Sequence, residues 1–217
     1  MQTTHLFLQT INPKLASSAN EHIPGLVSDL VFNGFDARVV LLLPLEIDRG
    51  ETTWKTLASR YKISAPAHCL TQKAFHNYGA KGIYYPEGQI LNSQFASKLA
   101  STLSDFSESS SWAGIFWSGY SEQQSQTHIM GPEDSAFLRP EPYSMIQVPS
   151  AQLGALLQAH LPSILFDDSV SCVVTQPIYG DRIYVSCEHR LATVLASEFS
   201  DVFPISPTDP MPDYLPY

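Results

Sequence analysis

An uninterrupted apolar segment, ARVVLLL at 37–43, constrains the fold of this chain more than any other feature. A strand without polar alternation is covered on both faces, and such strands are typical of parallel sheets. Residues 22–33 before it carry apolar residues at helical spacing, and 4–10 have the pattern of a short strand. Because strand, helix and strand follow one another directly, we expect a right-handed crossover between parallel neighbours.

The alternation of helical and strand patterns continues along the chain. Helical spacing recurs at 51–62, 92–106 and 150–161, and strands are expected at 112–117, 170–175 and 183–185. This order predicts an α/β fold with a Rossmann-like, mostly parallel sheet and helices on both faces. We expect a single domain over 1–203, a proline-rich tail at 204–217, and a long loop at 131–149, where four prolines occur.

The charge of the chain is acidic and unevenly distributed. The net charge of the 217 residues is -9, which argues against nucleic acid as a partner. Residues 1–98 have 9 basic and 7 acidic side chains, or +2, whereas residues 99–217 have 3 and 14, or -11. The asymmetry predicts either a solvated surface or a mildly basic N-terminal face that attracts an anionic substrate or partner.

Neither a membrane span nor an export signal is expected. No apolar run approaches the roughly 18–20 residues that cross a bilayer, and MQTTHLFLQT has neither a cationic start nor a long apolar core. Three cysteines without an export signal are typical of a reducing compartment, so we expect a cytoplasmic protein. Cys172, Cys187 and His189 lack the close ligand pair of a zinc site, so no metal is expected.

Candidate ligand-binding residues follow the predicted strands, since open α/β sheets bind ligands at such turns. They come after the first, middle and last strands: Asn12 and Lys14; Trp117, Ser118 and Tyr120; Ser186, Glu188 and His189. Lys14 suits an anionic group, and the two aromatic side chains suit a sugar ring. Ser186 is expected to cap the helix that follows it. Because no glycine-rich phosphate loop occurs, no cofactor is expected, and the catalytic residues are unknown.

Two segments resemble the N-terminal domain of GT-B glycosyltransferases, notably glycogen and starch synthases. HIPGLVSDLVFNGFDARVVLLLP at 22–44 is similar to that family's opening helix and strand, and DRIYVSCEHRLATVLASEF at 181–199 is similar to the segment that closes the domain. The resemblance implies a Rossmann-like domain that holds a sugar-containing acceptor. The donor-binding half of the family is missing, which implies a protein partner that supplies it, as in a split glycosyltransferase.

A second, local resemblance covers 48–91. DRGETTWKTLASRYKIS followed by IYYPEGQIL resembles a LysM module, with its first helix and closing strand in the right order. Residues 65–81 carry weak helical signals where the second helix of the module belongs. The resemblance implies a groove that binds N-acetylglucosamine polymers.

Three functions therefore remain open from the sequence. The first is sugar-acceptor binding by a stand-alone glycosyltransferase-like domain, whose enzymatic activity the sequence leaves undecided. The second is a LysM-like glycan-binding module. The third is a non-catalytic interaction or assembly protein, in which the proline-rich tail lies along a neighbouring subunit. We expect a sugar or protein partner, and neither nucleic acid nor a membrane span.

Overall fold

Among the residues that the structure describes, eight strands form one sheet and three more form a small second sheet. The computed structural model describes residues 27, 30–32, 34–47, 50–84, 91–117, 127–130, 142–177 and 180–212. The strands are β1 (Ala37–Leu42), β2 (Leu45–Ile47), β3 (Gly50–Thr52), β4 (Ile83–Tyr84), β5 (Ser111–Trp117), β6 (Thr127–Met130), β7 (Pro142–Pro149), β8 (Ile164–Asp167), β9 (Val173–Thr175), β10 (Arg182–Cys187) and β11 (Val202–Pro204). The helices are α1 (Trp54–Tyr61), α2 (Gln72–Asn77), α3 (Ser93–Phe106), α4 (Leu153–Ala159) and α5 (His189–Glu198).

The Rossmann-like, mostly parallel sheet predicted from the sequence is wrong. The large sheet has the order β11-β1-β10-β9-β8-β5-β7-β6. Every pairing within it is antiparallel, including those of β1 with β10 and with β11. The apolar run at 37–43 does form the expected strand, but its neighbours come from the far end of the chain and run in the opposite direction.

Because β1 is covered on both faces, its sequence has the continuous apolar pattern that is typical of a parallel strand. Val39 and Leu41 point into a core shared with α3 and α5, whereas Val40 and Leu42 point into a second core shared with α1. Continuous hydrophobicity therefore reports burial on two faces, and an antiparallel strand buried in this way has the same pattern. The strand direction depends on which segments pair with it, which the local sequence does not encode.

The N-terminal flank of β1 covers part of the second face. The Phe32 backbone amide donates to Ser186 Oγ at 2.9 Å, and Thr175 Oγ1 donates to the Leu30 carbonyl oxygen at 2.6 Å. Phe32 packs with apolar residues of β5, β7, β8 and β9. The helix predicted at 22–33 lies largely outside the described residues, and 30–32 are not helical.

Residues 52–84 form a lobe on the β1 and β10 side of the sheet; we call them the basic lobe. It contains α1, a 3₁₀ turn (Ala67–Cys69) and α2. The small sheet has the order β3-β2-β4, so β3 and β4 flank β2. Trp54 is fully buried, its ring centroid lies 5.7 Å from that of Phe75, and its Nε1 donates to the Leu43 carbonyl oxygen at 2.8 Å.

Arg182 joins this lobe to the large sheet. Its side chain is buried on β10, where Nη1 donates to the His68 carbonyl oxygen at 2.8 Å and Nη2 to that of Leu70 at 2.6 Å. Nε pairs with the Asp181 carboxylate at 2.7 Å. One guanidinium therefore holds the connection between α1 and α2 in place.

Two proline-containing segments of the sequence are described in part. The loop predicted at 131–149 contains strand β7, whose two prolines, Pro142 and Pro149, stand at its ends, where a strand tolerates a missing amide hydrogen. Beyond β11, residues 205–212 lie against the chain's own core. The Ile205 amide donates to the Arg38 carbonyl oxygen at 3.0 Å, and the Val27 amide donates to that of Asp209 at 2.9 Å.

Candidate functional site

Half of the sequence-predicted ligand-binding residues cannot be placed. Asn12, Lys14, Ser118 and Tyr120 lie outside the described residues, and only the backbone of Trp117 is described, at the end of β5. The structure therefore leaves the predicted grouping of these residues as a prediction.

The three residues of the last predicted turn do not face one common space. Ser186 is buried within β10, and its Oγ accepts the Phe32 amide on the face opposite α5. Glu188 and His189 are exposed at the start of α5. The helix begins two residues later than expected, with Glu188 in the N-cap position, so the prediction of Ser186 as the cap is wrong.

A buried carboxylate that the sequence did not reveal lies at the end of β8. Asp167 is fully buried and accepts hydrogen bonds from Ser107 Oγ at 2.6 Å, the Ser171 amide at 2.7 Å, Ser171 Oγ at 2.9 Å, and Ser169 Oγ. Within the same turn Val170 has a φ of 55°, a left-handed conformation that is unfavourable for a β-branched residue. Three donors reach Oδ2 and one reaches Oδ1, and together they fix this turn.

A cleft of about 230 Å³ lies between β1, the start of α1, α3 and the connection from α5 to β11. Phe95 and Phe199 form an apolar wall, and Ser200 and Asp201 contribute polar groups. Asp201 Oδ2 accepts the Trp54 amide at 2.9 Å, and Oδ1 accepts the Lys55 amide at 3.4 Å. The buried carboxylate is thus engaged with the N-terminus of α1.

Burial gives Asp201 a pH-dependent effect on stability. Desolvation raises the pKa of its carboxyl above the ordinary value of 3.8, and the two amide hydrogen bonds oppose that shift. Between the ordinary and the raised pKa the folded state binds more protons than the unfolded state, so this group's contribution to stability falls as pH rises through that window. Asp201→Asn should remove the contribution, because an amide does not titrate there.

The measurement is urea unfolding of the wild type and Asp201→Asn from pH 3.5 upward. We expect the wild-type free energy of unfolding minus that of the variant to decrease as pH rises from about 3.8. A difference that stays constant across the range would contradict the assignment.

The basic lobe carries a concentration of charge that the rest of the chain lacks. Residues 52–84 contain five basic and no acidic side chains, which leaves 7 basic and all 21 acidic side chains elsewhere, or -14. All five cations are exposed: Lys55, Arg60, Lys62, Lys73 and Lys81. Tyr78, which follows α2, is 53% exposed and is the one exposed large hydrophobic side chain in the described part of the chain. The lobe is therefore the candidate binding surface.

The sequence held a signal for this surface. The net charge of +2 over residues 1–98 combines the five cations of the lobe with a total of seven acidic residues that lie before or after it in the sequence. A window of the lobe's own length isolates the positive stretch. What the sequence could not provide is the exposure of every cation in that window.

Other features of the described residues define the setting of this surface. Across the described ranges, no three histidine, cysteine or acidic side chains are grouped as metal ligands would be. Among the same residues, no helix has the length and hydrophobicity that crossing a membrane requires.

No family model, curated protein or solved structure matches this chain.

Proposed function

We propose that this protein is a non-catalytic interaction protein whose basic lobe docks an acidic segment of a protein partner. The observation that carries the proposal is the charge of the lobe: five exposed cations and no acidic side chain, on a chain that is otherwise strongly acidic. Such a surface steers an anionic partner toward one region and repels it from the remainder.

The chemistry of the lobe suits protein docking in particular. Arginine and tyrosine are the side chains that most often anchor protein interfaces, and the lobe exposes Arg60 and Tyr78. Its scaffold is firm, because Phe75 packs against both Trp54 and Tyr61 of α1, with centroid separations of 5.7 and 6.4 Å. A preformed surface loses little conformational freedom when it binds.

The buried ionisable groups of the body support a non-catalytic role. Asp167 accepts hydrogen bonds from hydroxyl and amide donors, Asp201 holds the start of α1, and Arg182 holds two backbone carbonyls. Each of these groups fixes local structure. The cytoplasmic location predicted from the sequence belongs to the same proposal, as does a partner other than nucleic acid.

The test uses a fluorescein-labelled peptide of alternating glutamate and leucine, with binding followed by anisotropy at several salt concentrations. We expect the wild type to bind more weakly as salt rises. The triple variant Arg60→Gln, Lys73→Gln, Lys81→Gln should lose at least about tenfold in affinity, since each lost charge pair contributes roughly 0.5–1 kcal/mol.

Two controls separate charge from fold. The variant Lys73→Arg, Lys81→Arg keeps the charge and should bind like the wild type, whereas Tyr78→Ala should weaken binding and Tyr78→Phe should not. Equal binding by the wild type and the triple variant would refute the proposal. So would a preference of the wild type for duplex DNA of equal charge over the peptide.

A LysM-like glycan-binding module is a second candidate, favoured by one observation. Helix α2 (Gln72–Asn77) lies within 65–81, where the resemblance requires a second helix despite weak signals in the sequence. In the small sheet, β2 lies between β3 and β4, an arrangement that the resemblance to a LysM module did not predict. Binding of chitin oligosaccharides that is lost in Arg60→Ala or Tyr61→Ala, with no binding of the acidic peptide, would favour the module.

The glycosyltransferase-like function predicted from the sequence lacks the fold on which it was based. It depended on a Rossmann-like sheet to present the acceptor, and the strands of the observed sheet are antiparallel. Sugar-acceptor binding stays a prediction from the sequence, and the binding of chitin oligosaccharides tests part of it.

A further inference from the structure

Cys172 directly precedes β9, and Cys187 is the last residue of the neighbouring strand β10. In the β9–β10 pairing Tyr184 faces Thr175, Val185 faces Val174 and Ser186 faces Val173. One further step in this antiparallel register places Cys187 opposite Cys172. Directly opposed residues have Cα atoms about 4.5 or 5.5 Å apart, depending on the hydrogen-bonding position, and both values lie within the range of a disulfide.

Both thiols also lie on the same face of the sheet. Cys172 and Cys187 belong to the core beneath α3, α4 and α5, together with Val174 and Val185. Val173 and Ser186, which alternate with these core residues, point to the opposite face. There Val173 packs with Phe32, and Ser186 accepts a hydrogen bond from the Phe32 amide. Alternation and register therefore bring the two sulfur atoms together, although 15 positions separate them in the chain.

The environment of the pair makes both thiols slow to react. Both side chains are at most 1% exposed. Burial raises the pKa of Cys187 to about 12, and burial, followed by the nearby Asp167 and Cys187, raises the pKa of Cys172 well above its ordinary value. The thiolate form is therefore scarce, and an oxidant has to be small enough to enter the core or has to wait for local opening.

We propose that Cys172 and Cys187 form a reversible dithiol–disulfide pair that a small peroxide oxidises. One sulfur attacks a peroxide oxygen, which breaks the O–O bond, gives a sulfenic acid and releases one water. The second sulfur then attacks the sulfenic sulfur, which forms the S–S bond and expels the hydroxyl as a second water. Hydrogen peroxide takes up the two electrons, and an added dithiol reverses the reaction.

The pair has a consequence for the turn before it. Cys172 lies two residues after the left-handed Val170 and five after Asp167, whose hydrogen bonds hold that turn. A bond to Cys187 would tie the turn to the end of β10, just before α5. Oxidation would thus lock the end of the sheet that carries the left-handed Val170.

The experiment treats the full chain with hydrogen peroxide in native buffer, unfolds it in the presence of an alkylating reagent, and maps the products by mass spectrometry. Arg182 is the only trypsin site between the two cysteines, so cleavage there separates them unless they are linked. We expect a mass loss of about 2 Da, corresponding to the two thiol hydrogens, a peptide joining Cys172 to Cys187, and an alkylated Cys69. Treatment with dithiothreitol should restore three alkylated cysteines.

Several controls make the result decisive. Cys69→Ala should still give the cross-link, and Cys187→Ala should abolish it and leave a sulfenic acid on Cys172 that dimedone traps. Oxidation in concentrated urea should give mixed pairings that include Cys69, so a single native pairing reports the folded register. Three alkylated cysteines after an exposure that oxidises an added thiol peptide would overturn the proposal, as would a cross-link through Cys69 in native buffer.

Discussion

Arg182→Met should lower the free energy of unfolding by about 3 kcal/mol, since it leaves buried acceptors without donors. The side chain is 4% exposed and donates to the carbonyl oxygens of His68 and Leu70 at 2.8 and 2.6 Å. Methionine fills a similar volume but provides no hydrogen to either oxygen. Urea unfolding monitored by the fluorescence of Trp54 and the other tryptophans measures the effect.

The location of Arg182 gives this prediction a second readout. Because the two carbonyls belong to the basic lobe, hydrogen exchange in α1 and α2 should accelerate more than in α3. Lys98→Met is the matched control: Lys98 pairs with Glu198 at 3.0 Å, but the two side chains are 44% and 47% exposed, so its removal should cost less than about 1 kcal/mol. Equal losses in the two variants would show that Arg182 does not anchor the lobe.

Asp167→Ala should also lower the free energy of unfolding by about 3 kcal/mol, because it removes the acceptor of several donors at once. The Ser171 amide and the hydroxyl groups of Ser107 and Ser171 are partly buried and would lose the fully buried carboxylate that accepts their hydrogen bonds. Asp167→Asn should cost less, since one oxygen of similar position remains. Thermal and urea unfolding of both variants give the comparison.

The neighbouring acidic residue provides the control. Asp168 is exposed and accepts a hydrogen bond from Ser111 Oγ. Asp168→Ala should change stability by less than about 1 kcal/mol, because water replaces the lost interaction. If Asp168→Ala proves as costly as Asp167→Ala, then burial of the Asp167 carboxylate is not what stabilises the turn.

The sequence predicted local elements better than their arrangement. Apolar spacing located α1, α3 and α4, and the run at 37–43 located β1. The predicted direction of β1 was wrong because a continuous apolar run indicates only burial on two faces. Strand direction depends instead on pairing with β10 and β11, about 150 residues away. Long-range pairing leaves no local trace in composition or periodicity.

The structural roles of Asp167 and Arg182 could not be predicted for a related reason. Asp167 appears in the sequence as one of two adjacent acidic residues, and only the fold brings Ser107, 60 positions away, within 2.6 Å of it. Arg182 likewise finds its acceptors more than 110 positions earlier. The basic lobe differs, because its charge is continuous in sequence, and a shorter window would have found it.

The proline that ends β11 has a consequence for how the molecule meets its neighbours. β11 is a three-residue strand at one margin of the described large sheet, and Pro204, opposite Val39, has no amide hydrogen to offer. Short strands and prolines at a sheet margin discourage further strands from adding there. This margin of the described sheet therefore offers little template for β-aggregation.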